Sequence, residues 1–272
     1  MNILELNGVA KKFGSRQILK DVSFTVEEHS IYGFVGQNGA GKTTTMKMIM
    51  GLMKVDAGSI KVCGKEVKFG QNDTNMHIGY LPDVPEYYDF MTPKEYLEFC
   101  GSITGMSKQE SSKRAEELLE MVGLEKANKR IKGFSRGMKQ RLGIAQALFN
   151  KPDLLICDEP TSALDPVGRK EILDILVKAK EESTIIFSTH ILSDVERICD
   201  KVGFLNDGEI ILQMDKSALS ERHKSNKLNI EFAHNEDKEK VFEFMKQHNI
   251  VPKSVEYLED SLEDVFMEVI NK

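Results

Sequence analysis

This sequence has no excess of positive charge. Its 37 lysine and arginine residues are outnumbered by 43 aspartate and glutamate residues, which gives a formal net charge of -6. Proteins that bind nucleic acids take much of their affinity from cationic side chains that contact phosphate. The composition gives no reason to expect such a partner, and we predict that nucleic acid is not one.

Long hydrophobic runs are also absent. The longest apolar stretches have the length of a strand, whereas a membrane-spanning helix needs about 20 consecutive apolar residues. The stretch 1–5 has neither the basic region nor the long apolar region of a signal peptide. We therefore expect no membrane span, so that any work at a membrane requires another protein to hold this chain there.

Cysteines are few and lie far apart. The chain has four, Cys63, Cys100, Cys157 and Cys199, and no C-x-x-C spacing. A disulfide framework or a zinc site is normally recognised by the spacing of its cysteines. We expect neither, and we interpret the four residues as buried free thiols in a reducing cytoplasm.

A glycine-rich loop between a predicted strand and a predicted helix is the strongest motif present. Gly36 to Thr43 match the pattern G-x-x-x-x-G-K-[ST] in full. In such a P-loop the backbone N–H groups and the positive end of the helix dipole face phosphate oxygens. We predict that the lysine reaches the β- and γ-phosphates and that the threonine hydroxyl ligates Mg²⁺. The predicted nucleotide-binding residues of this loop are Gly36, Asn38, Gly39, Ala40, Gly41, Lys42, Thr43 and Thr44.

An apolar stretch, 154–157, reads as a buried strand and is followed by two acids, Asp158 and Glu159. Ligands of parallel α/β sheets lie at the carboxyl ends of the strands. In a P-loop protein the first acid holds Mg²⁺, through water, and the second orients or deprotonates the attacking water. We therefore predict Asp158 as a metal-binding residue and Glu159 as a catalytic one.

Several loops carry polar or aromatic residues with two interpretations each. Asp83 follows a strand that proline stops, and is either a ligand contact or a turn residue. His190 follows a second buried strand, where it would contact the γ-phosphate or serve a structural role. Phe13 precedes a glycine and would either stack on adenine or belong to the core. Ser135 opens a helix at a second possible phosphate site.

The order of these motifs resembles that of the ATP-binding subunits of ABC transporters, over about residues 2–215. Residues 36–43 correspond to Walker A, 154–158 to Walker B and 162–165 to the D-loop. The family's adenine-stacking aromatic, usually Tyr, corresponds to Phe13. The Q-loop falls at 81–83, where Asp83 replaces the usual glutamine. The signature LSGGQ corresponds to 134–138, which keeps Ser135 and Gly137 but has Arg136 in place of the first glycine, where it would reach phosphate or point to solvent.

The resemblance implies a homodimer that forms head to tail on ATP binding. Each ATP would lie between Walker A of one copy and Ser135, Arg136 and Gly137 of the other, with Asp165 of the D-loop also at the nucleotide. Glu159 would be the general base and His190 would hold the γ-phosphate. Asp83 would reach Mg²⁺ or the lytic water. The implied cofactors are ATP and Mg²⁺, with Thr43, Asp83 and Asp158 around the metal.

The implied fold class is α/β. It consists of a P-loop NTPase (RecA-like) core with an antiparallel β subdomain, a helical insertion over about 85–150 and a small C-terminal α+β tail. We expect an ATPase domain over 1–215 and an accessory domain over 216–272. The tail pattern predicts a strand near 228–232, a helix around 241–245 and a last helix from Ser261. Its closing stretch, 260–266, resembles ATPases that serve bacterial exporters of the antibiotic-resistance and sodium-efflux type.

The leading hypothesis is an ATPase that powers export by a separate integral membrane permease, bound peripherally at the cytoplasmic side of the membrane. A soluble ABC ATPase acting on DNA or the ribosome would need coiled coils or tandem units for which this chain has no room. A GTPase is suggested by D-x-x-G at 165–168, but no Asn-Lys-x-Asp motif accompanies it. A regulatory module that holds nucleotide without turnover is favoured only by Asp83 and Arg136.

Overall fold

The computed structural model describes residues 1–71, 73–216, 218 and 236–252. The chain divides into two compact units, Met1–Leu219 and Ser220–Lys272. The strands of the first unit are β1 Asn2–Phe13, β2 Arg16–Glu27, β3 Ile31–Val35, β4 Ala57–Val62, β5 Lys65–Glu66, β6 Ile78–Leu81, β7 Leu154–Asp158, β8 Thr184–Thr189, β9 Lys201–Asn206 and β10 Glu209–Asp215. Its helices are α1 Lys42–Ile49, α2 Pro93–Ile103, α3 Lys108–Met121, α4 Arg136–Leu148, α5 Pro166–Ala179 and α6 Leu192–Ile198.

The strands form one sheet in the order β5-β4-β1-β2-β10-β9-β3-β8-β7-β6. Strands β1, β2, β4 and β5 pair antiparallel, whereas β9, β3, β8, β7 and β6 pair parallel. Every residue of β3, β7 and β8 is buried, because helices cover both faces of a parallel sheet. The predicted α/β class, with a parallel core and an antiparallel β part, is confirmed.

Three helices, α2 to α4, follow β6 and return the chain to β7, as the predicted insertion requires. Thr92 and Ser107 begin α2 and α3, and each forms a capping box with a glutamate three residues later. The hydrogen bonds from the backbone and side chain of Thr92 lower the pKa of Glu95. The Thr92 cap fixes where α2 begins and thereby the end of the loop that carries Asp83.

The second unit contains the helix α7 Glu236–Gln247, which confirms the helix predicted around 241–245. The predicted strand near 228–232 and the predicted helix from Ser261 lie outside the described residues. Among the helices of the described ranges, none has both the length and the apolar character needed to cross a membrane.

The four cysteines are free thiols, but they are not all buried as we expected. Cys157 and Cys199 are enclosed, whereas Cys63 and Cys100 are partly exposed. Cys157 belongs to β7 in the centre of the sheet, while Cys63 follows β4 in the turn before β5. The expectation failed for Cys63 because a strand pattern does not show where the strand ends.

Candidate nucleotide-binding site

The P-loop lies between the carboxyl end of β3 and the amino end of α1. Gly41 precedes α1 with a φ of 110°, a conformation that side chains rarely adopt. A Cβ atom on Gly41 would also lie 2.5 Å from Leu19 Cδ2. The last glycine of the motif is thus required by the geometry of the loop itself, and it leaves the N–H groups of α1 facing the cleft.

Lys42 folds back across this loop and is almost fully enclosed. Its ammonium donates hydrogen bonds to the carbonyl oxygens of Gly36 at 2.6 Å and Gln37 at 3.3 Å. It also lies 3.0 Å from Glu159 Oε1. The P-loop lysine and the predicted catalytic acid are therefore in direct contact.

Asp158 is held by two hydroxyl groups, one on each carboxylate oxygen. Thr43 Oγ1 donates to its Oδ2 at 2.7 Å, and Ser188 Oγ donates to its Oδ1 at 2.5 Å. Thr43 and Asp158, both predicted to bind metal, are thus brought together. Ser188 was not among the residues predicted from the sequence, although its place near the end of a buried strand was a usable signal.

Glu159 adopts a left-handed backbone conformation, with a φ of 49°. This conformation is costly for a residue with a side chain and is often retained at functional sites. The N–H of Glu159 donates to Ser188 Oγ at 3.0 Å, and its Oε2 lies 2.9 Å from His190 Nδ1. The carboxylate therefore sits between the Lys42 ammonium and the His190 ring, which is half exposed after β8.

Asp83 and Arg136 are neighbours in the structure. Asp83 Oδ1 accepts a hydrogen bond from Ser162 Oγ at 2.5 Å and a longer one from Arg136 Nη2 at 3.4 Å. Arg136 Nη2 also lies 3.2 Å from Ser162 Oγ. Arg136 thus joins the signature loop to the Q-loop and the D-loop of its own chain. Its side chain is still nearly half exposed, so the two predicted positions, at phosphate or in solvent, stay predictions.

A cleft of about 300 Å³ opens over the P-loop. Three acidic side chains line it, together with the single ammonium of Lys42, so a bare polyphosphate would meet more negative than positive charge. The oxygen atoms of Thr43 and Asp158 are hard ligands of the kind that Mg²⁺ prefers. The lining residues are Asn38, Gly39, Gly41, Lys42, Thr43, Asp83, Asp158 and Glu159.

Eight predicted nucleotide contacts lie outside this lining: Phe13, Gly36, Ala40, Thr44, Ser135, Arg136, Gly137 and Asp165. Two of them, Ser135 and Asp165, are helix caps. Ser135 Oγ accepts from the N–H of Met138, and Asp165 Oδ1 accepts from the N–H of Gly168. The second bond gives the apparent GTPase pattern D-x-x-G a plain structural explanation, since these residues cap α5.

Phe13 and Gly137 also lie outside the lining. Phe13 ends β1 with 49% of its surface exposed, so the alternative that it belongs to the core is wrong. The nearest atom to a Cβ added on Gly137 would be 3.9 Å away, in Leu164. Nothing in the surrounding described residues therefore requires glycine at this position.

The parallel core, the P-loop and the acid-ended strand together define a P-loop nucleoside triphosphatase. The chain belongs to the ABC transporter family, whose model matches residues 19–162. The predicted resemblance is confirmed: this is an ATP-binding subunit of that family, with ATPase activity.

Relatives and solved structures agree with this assignment. The chain is 39% identical over 249 residues to the bacitracin transport ATP-binding protein BcrA of Bacillus licheniformis, covering 90% of this chain and 79% of the relative. It is 39% identical to the linearmycin resistance ATP-binding protein LnrL of Bacillus subtilis (strain 168), covering 81% and 71% of the two chains. A dimeric ATP-binding cassette in a post-hydrolysis state, bound to ADP and phosphate, superimposes with a TM-score of 0.67 at 27% identity, covering 78% of this chain and 98% of that one.

Proposed function

We propose that this chain hydrolyses ATP to drive export by a separate membrane permease. The observation that carries the proposal is the contact of Glu159 with both Lys42 and His190, at the end of the strand that also presents Asp158. Relatives named for bacitracin transport and linearmycin resistance support a transporter of the exporting type. We place the chain at the cytoplasmic side of the membrane, where ATP is available.

Within the cleft we assign each side chain a role. Lys42 and the P-loop N–H groups bind the β- and γ-phosphates, and Thr43 and Asp158 hold Mg²⁺, with Asp83 at the edge of that site. Mg²⁺ bound there supplies positive charge to the phosphates. Glu159 takes the proton of the attacking water, and His190 orients Glu159 and contacts the γ-phosphate.

A second copy of the chain completes the site in this proposal. Phe13 is exposed for stacking on adenine, and we assign Ser135, Arg136, Gly137 and Asp165, which lie outside the cleft lining, to the nucleotide of the other copy. The open space beside Gly137 allows close approach of a phosphate, and the dimeric relative shows that such cassettes pair. We therefore propose a head-to-tail homodimer that closes on two ATP molecules.

Apolar side chains beside Asp83 offer a surface for the permease. Val84, Tyr88 and Phe90 are 65%, 51% and 64% exposed, in the loop that joins β6 to α2. A cytoplasmic loop of the permease packed on these side chains would touch the same loop that reaches the cleft.

We propose residues 1–215 as the ATPase domain and 216–272 as an accessory domain.

The test is recovery of the permease with tagged full-length protein from native membranes. We expect Glu159→Gln protein with ATP to recover one polytopic membrane protein in about equal amount, identified by mass spectrometry. The double variant Tyr88→Ser/Phe90→Ser keeps the cleft and should still hydrolyse ATP. It should recover little of the membrane protein. Recovery of a soluble or nucleic-acid partner, with no membrane protein, would leave the ATPase assignment intact and overturn the transport proposal. ATP-driven accumulation of the cargo in inverted vesicles would establish the direction as export.

A further inference from the structure

Three potential metal ligands meet at the end of the parallel sheet opposite the ATP cleft. The ligand atoms of Cys63, His77 and Asp153 all lie within 4.8 Å of one another. His77 Nδ1 is 2.6 Å from Asp153 Oδ2. They come from three separate segments, so the spacing of cysteines in the sequence gave no sign of them.

We propose that Cys63, His77 and Asp153 bind a divalent transition-metal ion, with Zn²⁺ as the best match. Sulfur, imidazole nitrogen and carboxylate oxygen are the ligand types of Zn²⁺, whereas Mg²⁺ and Ca²⁺ take oxygen ligands. Three protein ligands leave one tetrahedral position for water or another ligand. The partial exposure of Cys63 and His77 gives the ion a route from solvent.

The backbone fixes the positions of all three residues. Strands β6 and β7 are parallel neighbours in which Ile78 pairs with Leu154, so the residues just before that pair, His77 and Asp153, are placed side by side. Cys63 occupies the two-residue turn between β4 and β5, with a φ of 50° that sets the direction of its side chain. The ligands are therefore presented by strand ends and a tight turn rather than by a long loop.

One neighbouring side chain opposes metal binding at this cluster. Lys65 Nζ lies 3.3 Å from His77 Nε2 and competes with a metal, because Nε2 must carry a proton when Nδ1 binds the ion. Lys65 is exposed and free to turn away, so it weakens the site without blocking it.

The proposed ion would act on folding rather than on hydrolysis. Asp153 precedes β7 and Asp158 ends it, so the two sites are separated by the length of a five-residue strand, about 16 Å. The ion would tie the β4–β5 turn of the antiparallel part to the edge of the parallel sheet. Because the ligands come together only in the folded chain, binding would stabilise that state.

The experiment is a Co²⁺ titration of the full-length protein without nucleotide, followed by absorption, with Zn²⁺ as competitor. We expect one equivalent of Co²⁺ to produce a near-ultraviolet thiolate-to-metal band that Zn²⁺ removes, and Zn²⁺ to raise the melting temperature. Metal at Thr43 and Asp158 would give no such band, since none of the described residues that line the cleft carries a thiol. Cys63→Ser should abolish the band, Cys100→Ser should keep it, and Lys65→Met should tighten binding about tenfold.

Three results would overturn the proposal. The first is wild-type protein that gives no band and no Zn²⁺-dependent melting shift. The second is a band that survives in Cys63→Ser. The third is unchanged affinity in His77→Gln, a variant that keeps the thiol. ATP binding by each variant reports that the chain is folded, so a lost band is assigned to the missing ligand.

Discussion

Lys42 and Glu159 form an ion pair of 3.0 Å at the base of the cleft, with side chains only 6% and 13% exposed. In the proposed mechanism, a bound triphosphate would draw the ammonium toward phosphate oxygens and loosen its contact with the carboxylate. The Glu159 carboxylate would then keep its contact with His190 and could accept a proton from water. The ion pair would thus link phosphate binding to release of the proposed general base.

Replacement of Glu159 by glutamine separates the two roles of this pair. The neutral amide keeps the size of the side chain but cannot accept the proton, so we expect ATP hydrolysis to fall by about 10²–10⁴-fold. The affinity for ATP should be equal or higher, because Lys42 no longer faces a carboxylate. Phosphate release and equilibrium binding of ATP measure the two effects.

The matched control is Glu181→Gln, the same change at an exposed glutamate that precedes the amino end of β8. It should leave both quantities unchanged. Hydrolysis retained in Glu159→Gln would show that another group is the base.

Ser188 supports both acids, since it donates to Asp158 and accepts from the N–H of Glu159. Ser188→Ala removes a hydrogen bond from the buried Asp158 carboxylate, whereas the N–H of Glu159 keeps its bond to the Ser188 carbonyl oxygen. We therefore expect a loss of about 1–3 kcal/mol in the free energy of unfolding. We also expect ATP hydrolysis to require more Mg²⁺, because Asp158 is less well oriented. Denaturant unfolding and the Mg²⁺ dependence of phosphate release test the two statements.

The control for this change is Ser102→Ala. The exposed hydroxyl of Ser102 donates to the Phe99 carbonyl within α2, and its loss should cost no more than about 0.5 kcal/mol. Equal losses in the two variants would mean that Ser188 has no special role at the acids.

Arg136 and Asp83 are predicted to be coupled. Both side chains are nearly half exposed, so their ion pair with Ser162 as a shared neighbour should contribute about 0.2–1 kcal/mol. A double-mutant cycle of Arg136→Ala and Asp83→Asn, measured by unfolding, gives this value directly. Strictly additive effects would show that the contact contributes nothing to stability.

The sequence predicted those parts of the site that a local pattern determines. The P-loop, the two acids at the carboxyl end of β7 and the start of a helix at Ser135 each depend on residues that are neighbours in the chain. The bond from Ser188 to Asp158 and the cluster at Cys63 depend on which strands pair and in what register. Single-sequence patterns do not carry that information, so these contacts appeared only in the structure.

Arg136 is a residue whose place was identified from the sequence but whose partner was not. Its place in the signature loop was identified by resemblance, but its partner Asp83 is 53 residues away and was assigned to a different loop. Only the packing of α4 against β6 shows that the two departures from the family pattern face each other.

Gly137 provides a test of the proposed dimer that is independent of folding. A Cβ added there meets no atom within 3.4 Å, and α4 gains a better helix former, so Gly137→Ala should leave stability unchanged or raise it by up to about 1 kcal/mol. If the ATP of a second copy approaches this backbone, the added methyl group will prevent ATP-dependent dimerisation in a Glu159→Gln background. Gly133→Ala, also free of close contacts, serves as the control and should dimerise normally. Normal dimerisation of the Gly137→Ala protein, observed by light scattering with ATP, would place the second copy elsewhere.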